Sequence, residues 1–339
     1  MNIQKRKIIA IVGPTASGKT AVGVKLAREF NGEIVSADSR QVFRGLDIGT
    51  GKDLAEYGEV KYHMIDICEP EEDFNLFKYL ELARAVIEDI FSRGKLPIIV
   101  GGTGLYIQAL TQGFALEKIQ NSKFKIQNYS ERFTHGLLDR GALNSKTVSE
   151  LQNILQELDI KAYENLADKK NPHRLIRAIE RAQSREVITK EKPDFEVLQI
   201  GLDWPREELN KRIDKRVDDR FEQGMLGEAE LLLKSGVDPE WLLKLGLEYR
   251  IMTSFLLEIA KLLNCSIADL TPTLSLLRRG SVDITMEQYN NDFELMKDQL
   301  KLRSHQYAKR QMTWFKRFPE ITWEKDYKKI SELVENYLN

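Results

Sequence analysis

The hydrophobic positions of this chain follow two rhythms. Ile8-Ile9-Ala10-Ile11-Val12 and Leu96-Pro97-Ile98-Ile99-Val100 are short apolar runs that end in glycine. Such runs are expected of strands buried on both faces. Glu33–Ser36, Tyr62–Ile67 and Phe195–Leu202 read as further strands. Elsewhere the apolar residues recur at helical spacing. Val22, Leu26 and Phe30 mark a helix over Thr20–Phe30, and Leu80, Ile87, Ile90 and Phe91 mark one over Phe74–Arg93, ended by Gly94. Strands alternating with helices predict an α/β fold, a parallel sheet flanked by helices.

From about Phe114 to Lys170 the strand-like runs stop, and polar helical stretches such as Ser149–Leu158 take over. Arg174–Ala182 is helical again, and Phe195–Leu202 returns to strand character. The pattern predicts a core over 1–113 and 186–339, interrupted by a helical insertion domain over 114–185. Pro205–Lys234 reads as one long amphipathic helix, with Leu209, Ile213, Val217 and Phe221 on its inner face. The rest of the C-terminal part is mostly helical, with no internal repeat and no low-complexity linker.

Composition narrows the class. With 339 residues, 42% hydrophobic and 30% charged, the chain has a soluble globular composition and can bury a sizeable core. Lys+Arg 51 against Asp+Glu 52 leaves a net charge of -1, so any nucleic-acid contact must come from local patches. Cys68 and Cys265 stand far apart, which excludes a disulfide framework and a cysteine-based zinc site. No leader sequence or membrane-length apolar stretch is visible, and a cytoplasmic location without membrane contact is expected.

The first candidate chemistry follows the first strand. Gly13-Pro14-Thr15-Ala16-Ser17-Gly18-Lys19-Thr20 fits G-x-x-x-x-G-K-[ST] in full, between a strand and a helix. In that setting loop amides and the helix N-terminus point at a di- or triphosphate. Lys19 adds a charge, and the Thr20 hydroxyl is placed for Mg2+. The fold class is therefore P-loop NTPase-like. Asp66 has the position of an acid that serves γ-phosphate chemistry, or of a carboxylate that ties down a nearby loop. The strand Leu96–Val100 ends in Gly101-Gly102-Thr103-Gly104 and not in an acid, so the means to activate water on a γ-phosphate is not evident. Asp38 follows the second strand, where ligands of open parallel sheets sit. It is a candidate metal ligand, helix cap or general base.

Together these motifs resemble the bacterial tRNA dimethylallyltransferases, also called tRNA isopentenyltransferases. Gly13–Thr20 is similar to that family's phosphate loop, and Ser36–Thr50 to its second signature. His63-Met64-Ile65-Asp66-Ile67, Gly101–Tyr106 and Tyr307–Phe315 match three more, in the family's order and across nearly the whole chain. Gly104 stands where a bulkier residue is common, and His173 where Gln is usual. Gly246-Leu247-Glu248-Tyr249-Arg250 replaces a Gly-Tyr pair, and Leu263–Asp283 is longer than usual.

The resemblance implies transfer of a dimethylallyl group from dimethylallyl diphosphate to N6 of the adenine beside the tRNA anticodon. Gly13, Pro14, Thr15, Ala16, Ser17, Gly18, Lys19 and Thr20 would hold the diphosphate. Asp38 would act as general base, with Thr103 as its hydrogen-bonding neighbour and Arg216 as a further diphosphate contact. Arg212, Arg216 and Arg220 form a stripe that, by spacing alone, equally suits a face turned to water.

Asp38, Ser39, Arg40 and Gln41 would meet the extruded adenine of the anticodon loop. His173, Arg174, Leu175, Ile176 and Arg177 resemble a tRNA-contacting helix. Lys309, Arg310 and Gln311 lie in a segment, Lys301–Arg317, rich in basic and aromatic residues and free of acids. Tyr307, Trp314 and Phe315 are expected to point mostly inward, and Lys309 and Arg310 toward RNA. A monomer is expected. The competing functions are a prenyltransferase for free adenine nucleotides, a P-loop kinase or ATPase for a small metabolite, and a non-catalytic RNA-binding protein.

Overall fold

The computed structural model describes residues 6–113, 140–184, 193–266 and 286–339. It divides into two compact units, Met1–Gly113 with Lys192–Asn339, and Phe114–Glu191.

The first unit is built on a six-stranded sheet. Its strands are β1 (Arg6–Val12), β2 (Gly32–Ser36), β3 (Tyr62–His63), β4 (Leu96–Gly101), β5 (Phe195–Gly201) and β6 (Ile321–Trp323). Their order is β3-β2-β4-β1-β5-β6, and every pairing is parallel. β1 lies between β4 and β5, and Ile8 through Val12 are fully buried there. That burial explains the absence of a polar alternation in the run. The helices α1 (Lys19–Glu29), α2 (Leu76–Ser92) and α3 (Gly104–Gln112) follow β1, β3 and β4 in the chain. The Asn75 side chain caps α2 by accepting from the amides of Phe77 and Lys78.

The second unit holds α4 (Arg140–Asn144), α5 (Val148–Leu158), α6 (Ile160–Glu164) and α7 (Pro172–Ser184). Thr147 and Glu150 form a capping box at the start of α5. Leu143, Leu151, Leu155, Leu175 and Ile179 make the unit's own core.

The first unit continues through α8 (Arg206–Glu222), α9 (Met225–Lys234), α10 (Pro239–Leu245), α11 (Leu247–Leu262), α12 (Met286–Phe315) and α13 (Tyr327–Leu338). A helical core around Phe43, Leu46, Tyr249, Met252, Leu256 and Leu300 joins α8–α12 to the loop after β2, while Ile330 and Val334 of α13 pack in the core of the sheet.

Two expected elements differ. Pro205–Lys234 is not one helix: α8 ends at Glu222, and Gly224 takes a left-handed backbone (φ 97) before α9 begins. The strand expected over Tyr62–Ile67 stops at His63, because Met64 (φ 67) and Asp66 (φ 55) turn the chain. The amides of Asp66 and Ile67 then donate to the carbonyls of Gln41 and Val42. The second signature, Ser36–Thr50, and the His63–Ile67 motif are thus stitched together at Gln41 and Val42. The strand β6 at the sheet edge was not anticipated, since three residues carry too little pattern to read. The insertion's residues 114–139 and most of the lengthened stretch 263–283 lie outside the described residues.

Candidate active site

The phosphate loop leaves the carboxyl end of β1 and runs into α1. Other elements hold it from outside. Trp204 donates its indole Nε1–H to the Ser17 carbonyl at 3.0 Å, and Arg212 donates Nε–H to the Ala16 carbonyl at 2.8 Å. Gln311 on α12 accepts from the Thr15 amide and donates to the Gly102 carbonyl, both at 2.9 Å. Gln311 is largely buried at this junction, braces the phosphate loop against the end of β4, and also lines the adjoining cavity.

A cavity of about 440 Å³ opens beside the loop. Thr15, Ala16, Gly18, Lys19 and Thr20 line one side, Asp38, Arg40 and Gln41 another, and Arg212, Arg216 and Arg220 of α8 a third. Gly13, Pro14 and Ser17 shape the loop without lining the cavity. The stripe on α8 therefore faces the site. Arg216 donates to Asp53 Oδ2 at 2.7 Å and to Thr15 Oγ1 at 3.3 Å, which fixes its guanidinium over the loop.

The electrostatics point to an anion. Burial, followed by the nearby Arg216 charge, pushes the Lys19 ammonium down to about 7, while Asp38 acts in the other direction. Its Nζ donates to the Pro14 carbonyl at 2.6 Å. A nearby anion favours the charged form of such a lysine.

Asp38 follows β2 and lines the same cavity. Its Oδ1 accepts from the Arg40 amide at 2.9 Å, which orients one oxygen and leaves further acceptor capacity on the carboxylate. Thr103 stands behind this loop: its hydroxyl accepts from the Ser39 amide at 3.2 Å, and its own amide donates to the Ala37 carbonyl at 3.2 Å. Thr103 is half-buried and is bonded to the Asp38–Ser39 turn at the edge of the cavity. Gln41 accepts from Ser36 Oγ at 2.9 Å and donates to the Gly51 carbonyl at 3.0 Å. Each end of its amide keeps one further hydrogen-bonding valence for a ligand.

Arg40 donates Nε–H to the Leu245 carbonyl at 2.9 Å and lies 5.8 Å from the Tyr307 ring centre. It latches the α10–α11 corner and α12 to the second signature. That corner is the Gly246–Arg250 segment in which the sequence departs from the family. Here Glu248 lines the cavity, and Tyr249 is buried with its hydroxyl donating to Glu228 at 2.5 Å. Glu228 also accepts from the amides of Asp47, Ile48 and Gly49. The departure at Gly104 has a partner as well, because a side chain there would collide with the Trp314 indole.

Asp66 takes the second of its two sequence readings. It pairs with buried Lys52, which also bonds Asp47 and the Phe43 carbonyl, and it does not line the cavity. No group of three or more His, Cys, Asp or Glu residues suited to a metal ion occurs among the described residues. Thr20 supplies one hydroxyl at the cavity wall.

The expected RNA-facing residues divide. In the second unit, His173, Arg174 and Arg177 are exposed, but Leu175 and Ile176 are 0% and 4% exposed in its core and cannot meet RNA. Their sequence run spans one helical turn, and a turn shows only part of itself to solvent. Lys309 and Arg310 are exposed on α12, Tyr307 and Trp314 are half-buried, and Phe315 is buried. Sequence reasoning missed Gly51, Asp53, Glu56, Arg220 and Glu248 as cavity residues. Their only sequence signal is position: just beyond the second signature for Gly51, Asp53 and Glu56, on the α8 stripe for Arg220, and in the Gly246–Arg250 departure for Glu248.

Comparison with known proteins shows the family. The IPP transferase family profile matches residues 41–318, and the isopentenyl transferase profile matches residues 6–61. A tRNA dimethylallyltransferase 2 of Shewanella sediminis is 39% identical over 91% of this chain and 89% of its own length. One of Treponema denticola is 38% identical over 94% and 96%. The crystal structure of a full-length tRNA isopentenylpyrophosphate transferase from Bacillus halodurans aligns with TM-score 0.63 and 33% identity, over 98% of this chain and 96% of that one.

Proposed function

The chain belongs to the IPP transferase family, and we propose that it transfers the dimethylallyl group of dimethylallyl diphosphate to N6 of the adenine 3′-adjacent to the anticodon of tRNA. The observation that carries this is the meeting of Lys19, Asp38 and Arg216 around one cavity.

The phosphate-loop amides, Lys19 and Arg216 receive the diphosphate. As the allylic C1–O bond breaks, its electron pair leaves on the diphosphate, and these donors stabilise the developing charge. The N6 amine forms the new N–C1 bond, and its proton passes to the Asp38 carboxylate. Thr103 and the Arg40 amide hold the Asp38 turn in place. Magnesium, a hard cation suited to oxygen donors, would be held by the Thr20 hydroxyl and the diphosphate oxygens and supplies charge neutralisation on the leaving group. Gln41 and Arg40 line the cavity, where they would meet the extruded adenine.

For the RNA, exposed Lys309 and Arg310 on α12 and exposed His173, Arg174 and Arg177 on α7 supply phosphate contacts. The second unit then serves as a tRNA-contacting insertion in a monomeric, cytoplasmic enzyme. No helix among the described residues is long and apolar enough to cross a membrane. The kinase alternative loses its acid, since Asp66 is committed to Lys52.

The test sets labelled prenyl diphosphate with bulk tRNA against γ-labelled ATP. Label entering tRNA, with no phosphate release above background, is expected. ATP hydrolysis without incorporation overturns the proposal.

A further inference from the structure

Arg220 lies one turn beyond Arg216 on α8 and lines the same cavity. Unlike its neighbour, it is buried, at 7% exposure. Its Nε–H has no hydrogen-bond partner among the described residues. Asp53 and Glu248 act on it through space, and Asp53 is already bonded to Arg216. The guanidinium lies against the backbone of Gly51, whose φ is +63, and any side chain at that position would collide with it. The fold has thus cleared room for a buried cation and left it without a full set of acceptors.

A buried guanidinium in that condition is costly to the ligand-free fold. Burial, then the Arg216 charge, lowers it to about 10, so it remains a cation at neutral pH. Arginine presents a planar fork that matches phosphate oxygens. The cavity therefore holds Lys19, Arg216 and Arg220 together, with Asp53 already taken by Arg216 and Arg220 left without a hydrogen-bonded carboxylate among the described residues.

We propose that Arg220 is a second guanidinium ligand for the diphosphate, and that it sets the cavity's preference for diphosphate over monophosphate. This rests on the reading of the cavity as the diphosphate site. Arg216 and Lys19 give either anion a partner. Arg220 adds a contact that only the longer and more highly charged anion uses in full, both in the substrate and in the released pyrophosphate.

The experiment is calorimetric titration of the full chain with inorganic pyrophosphate and, separately, inorganic phosphate, for wild type, Arg220→Met and Arg220→Lys. Arg220→Met should weaken pyrophosphate binding by about 10–100-fold, the range of a lost charge-assisted contact, and phosphate binding by less than about 3-fold. Arg220→Lys, which keeps the charge and loses the fork, should fall between. Without anion, Arg220→Met should melt at or above the wild-type temperature, because an unsatisfied buried charge is gone. Pyrophosphate affinity within twofold of wild type in Arg220→Met overturns the proposal, as does an equal loss for both anions. A lower ligand-free melting temperature with unchanged pyrophosphate affinity assigns Arg220 to the fold instead. Failure of the wild type itself to bind pyrophosphate overturns the diphosphate cavity as a whole, a result distinct from failure at Arg220 alone.

Discussion

Helix α7 carries Arg174, Arg177 and Arg181, and helix α8 carries Arg212, Arg216 and Arg220, at nearly the same spacing. On α7 the arginines stay on an exposed face, with Arg177 pairing to Glu180 at 3.0 Å. On α8 they turn toward the phosphate loop and sink progressively: Arg212 is exposed, Arg216 half-buried and Arg220 buried. The helical period is the same in both. What differs is what stands opposite. Leu175, Ile176 and Ile179 take the inner face of α7, so its arginines are left outside. The α8 stripe meets loop carbonyls, Asp53 and an open cavity. Arginines over water favour a polyanion by summed charge, whereas arginines fixed in a pocket recognise one small anion by geometry.

The comparison can be broken by mutation, beginning at the centre of the cavity. Asp38→Ala should lower turnover by about 10²–10⁴-fold as a lost general base. Pyrophosphate affinity should stay near that of wild type, and near-normal turnover removes Asp38 from the chemistry. Arg216→Met should weaken pyrophosphate binding by about 10–100-fold in calorimetry, with ligand-free tRNA affinity held. The α7 pair Arg174→Ala with Arg177→Ala should do the reverse. It should weaken tRNA binding and flatten its dependence on salt by about two units of slope, with pyrophosphate affinity unchanged. A steep salt slope retained in that variant takes α7 off the RNA path.

The smallest effect concerns protons. Lys19 sits at about 7 through burial and Arg216. At pH 8 it is mostly neutral without ligand and must take up a proton to pair with an anion. Wild type should therefore take up up to one proton more than Lys19→Arg on binding pyrophosphate, measured in buffers of different ionisation heat. The sign for stability is opposite to that of a paired lysine. The lowered folded value makes the ligand-free protein gain stability as pH rises from about 7 toward the unfolded lysine range. Equal proton uptake by the two proteins contradicts this.

Much of the architecture was readable in the chain because its signals are local. The β1 run and the Gly13–Thr20 loop carry their meaning within a few residues, and strand, loop and helix follow as expected. The break at Gly224 lies inside an otherwise continuous apolar period, which hides it. Tyr62–Ile67 has strand composition, but the carbonyls of Gln41 and Val42 draw it into a turn. The site was legible where motif and geometry coincide, at Lys19, Asp38 and Arg216. Thr103 and Gln311 came out of motifs as ligand-facing; Thr103 supports the Asp38–Ser39 turn, and Gln311 both ties the phosphate loop to the end of β4 and lines the cavity. Arg220 was visible only as one of the α8 stripe, and Glu248 only as part of the Gly246–Arg250 departure. Their place in the cavity depends on how α8 and the α10–α11 corner pack against the second signature, and no residue spacing encodes that.

Nucleoside mass spectrometry of tRNA incubated with the enzyme and dimethylallyl diphosphate, with pyrophosphate counted in the same reaction, addresses the central claim directly. One pyrophosphate released for each adenosine gaining a five-carbon prenyl group is the predicted result. Pyrophosphate released with no prenylated adenosine, or unmodified tRNA with no release, would contradict it.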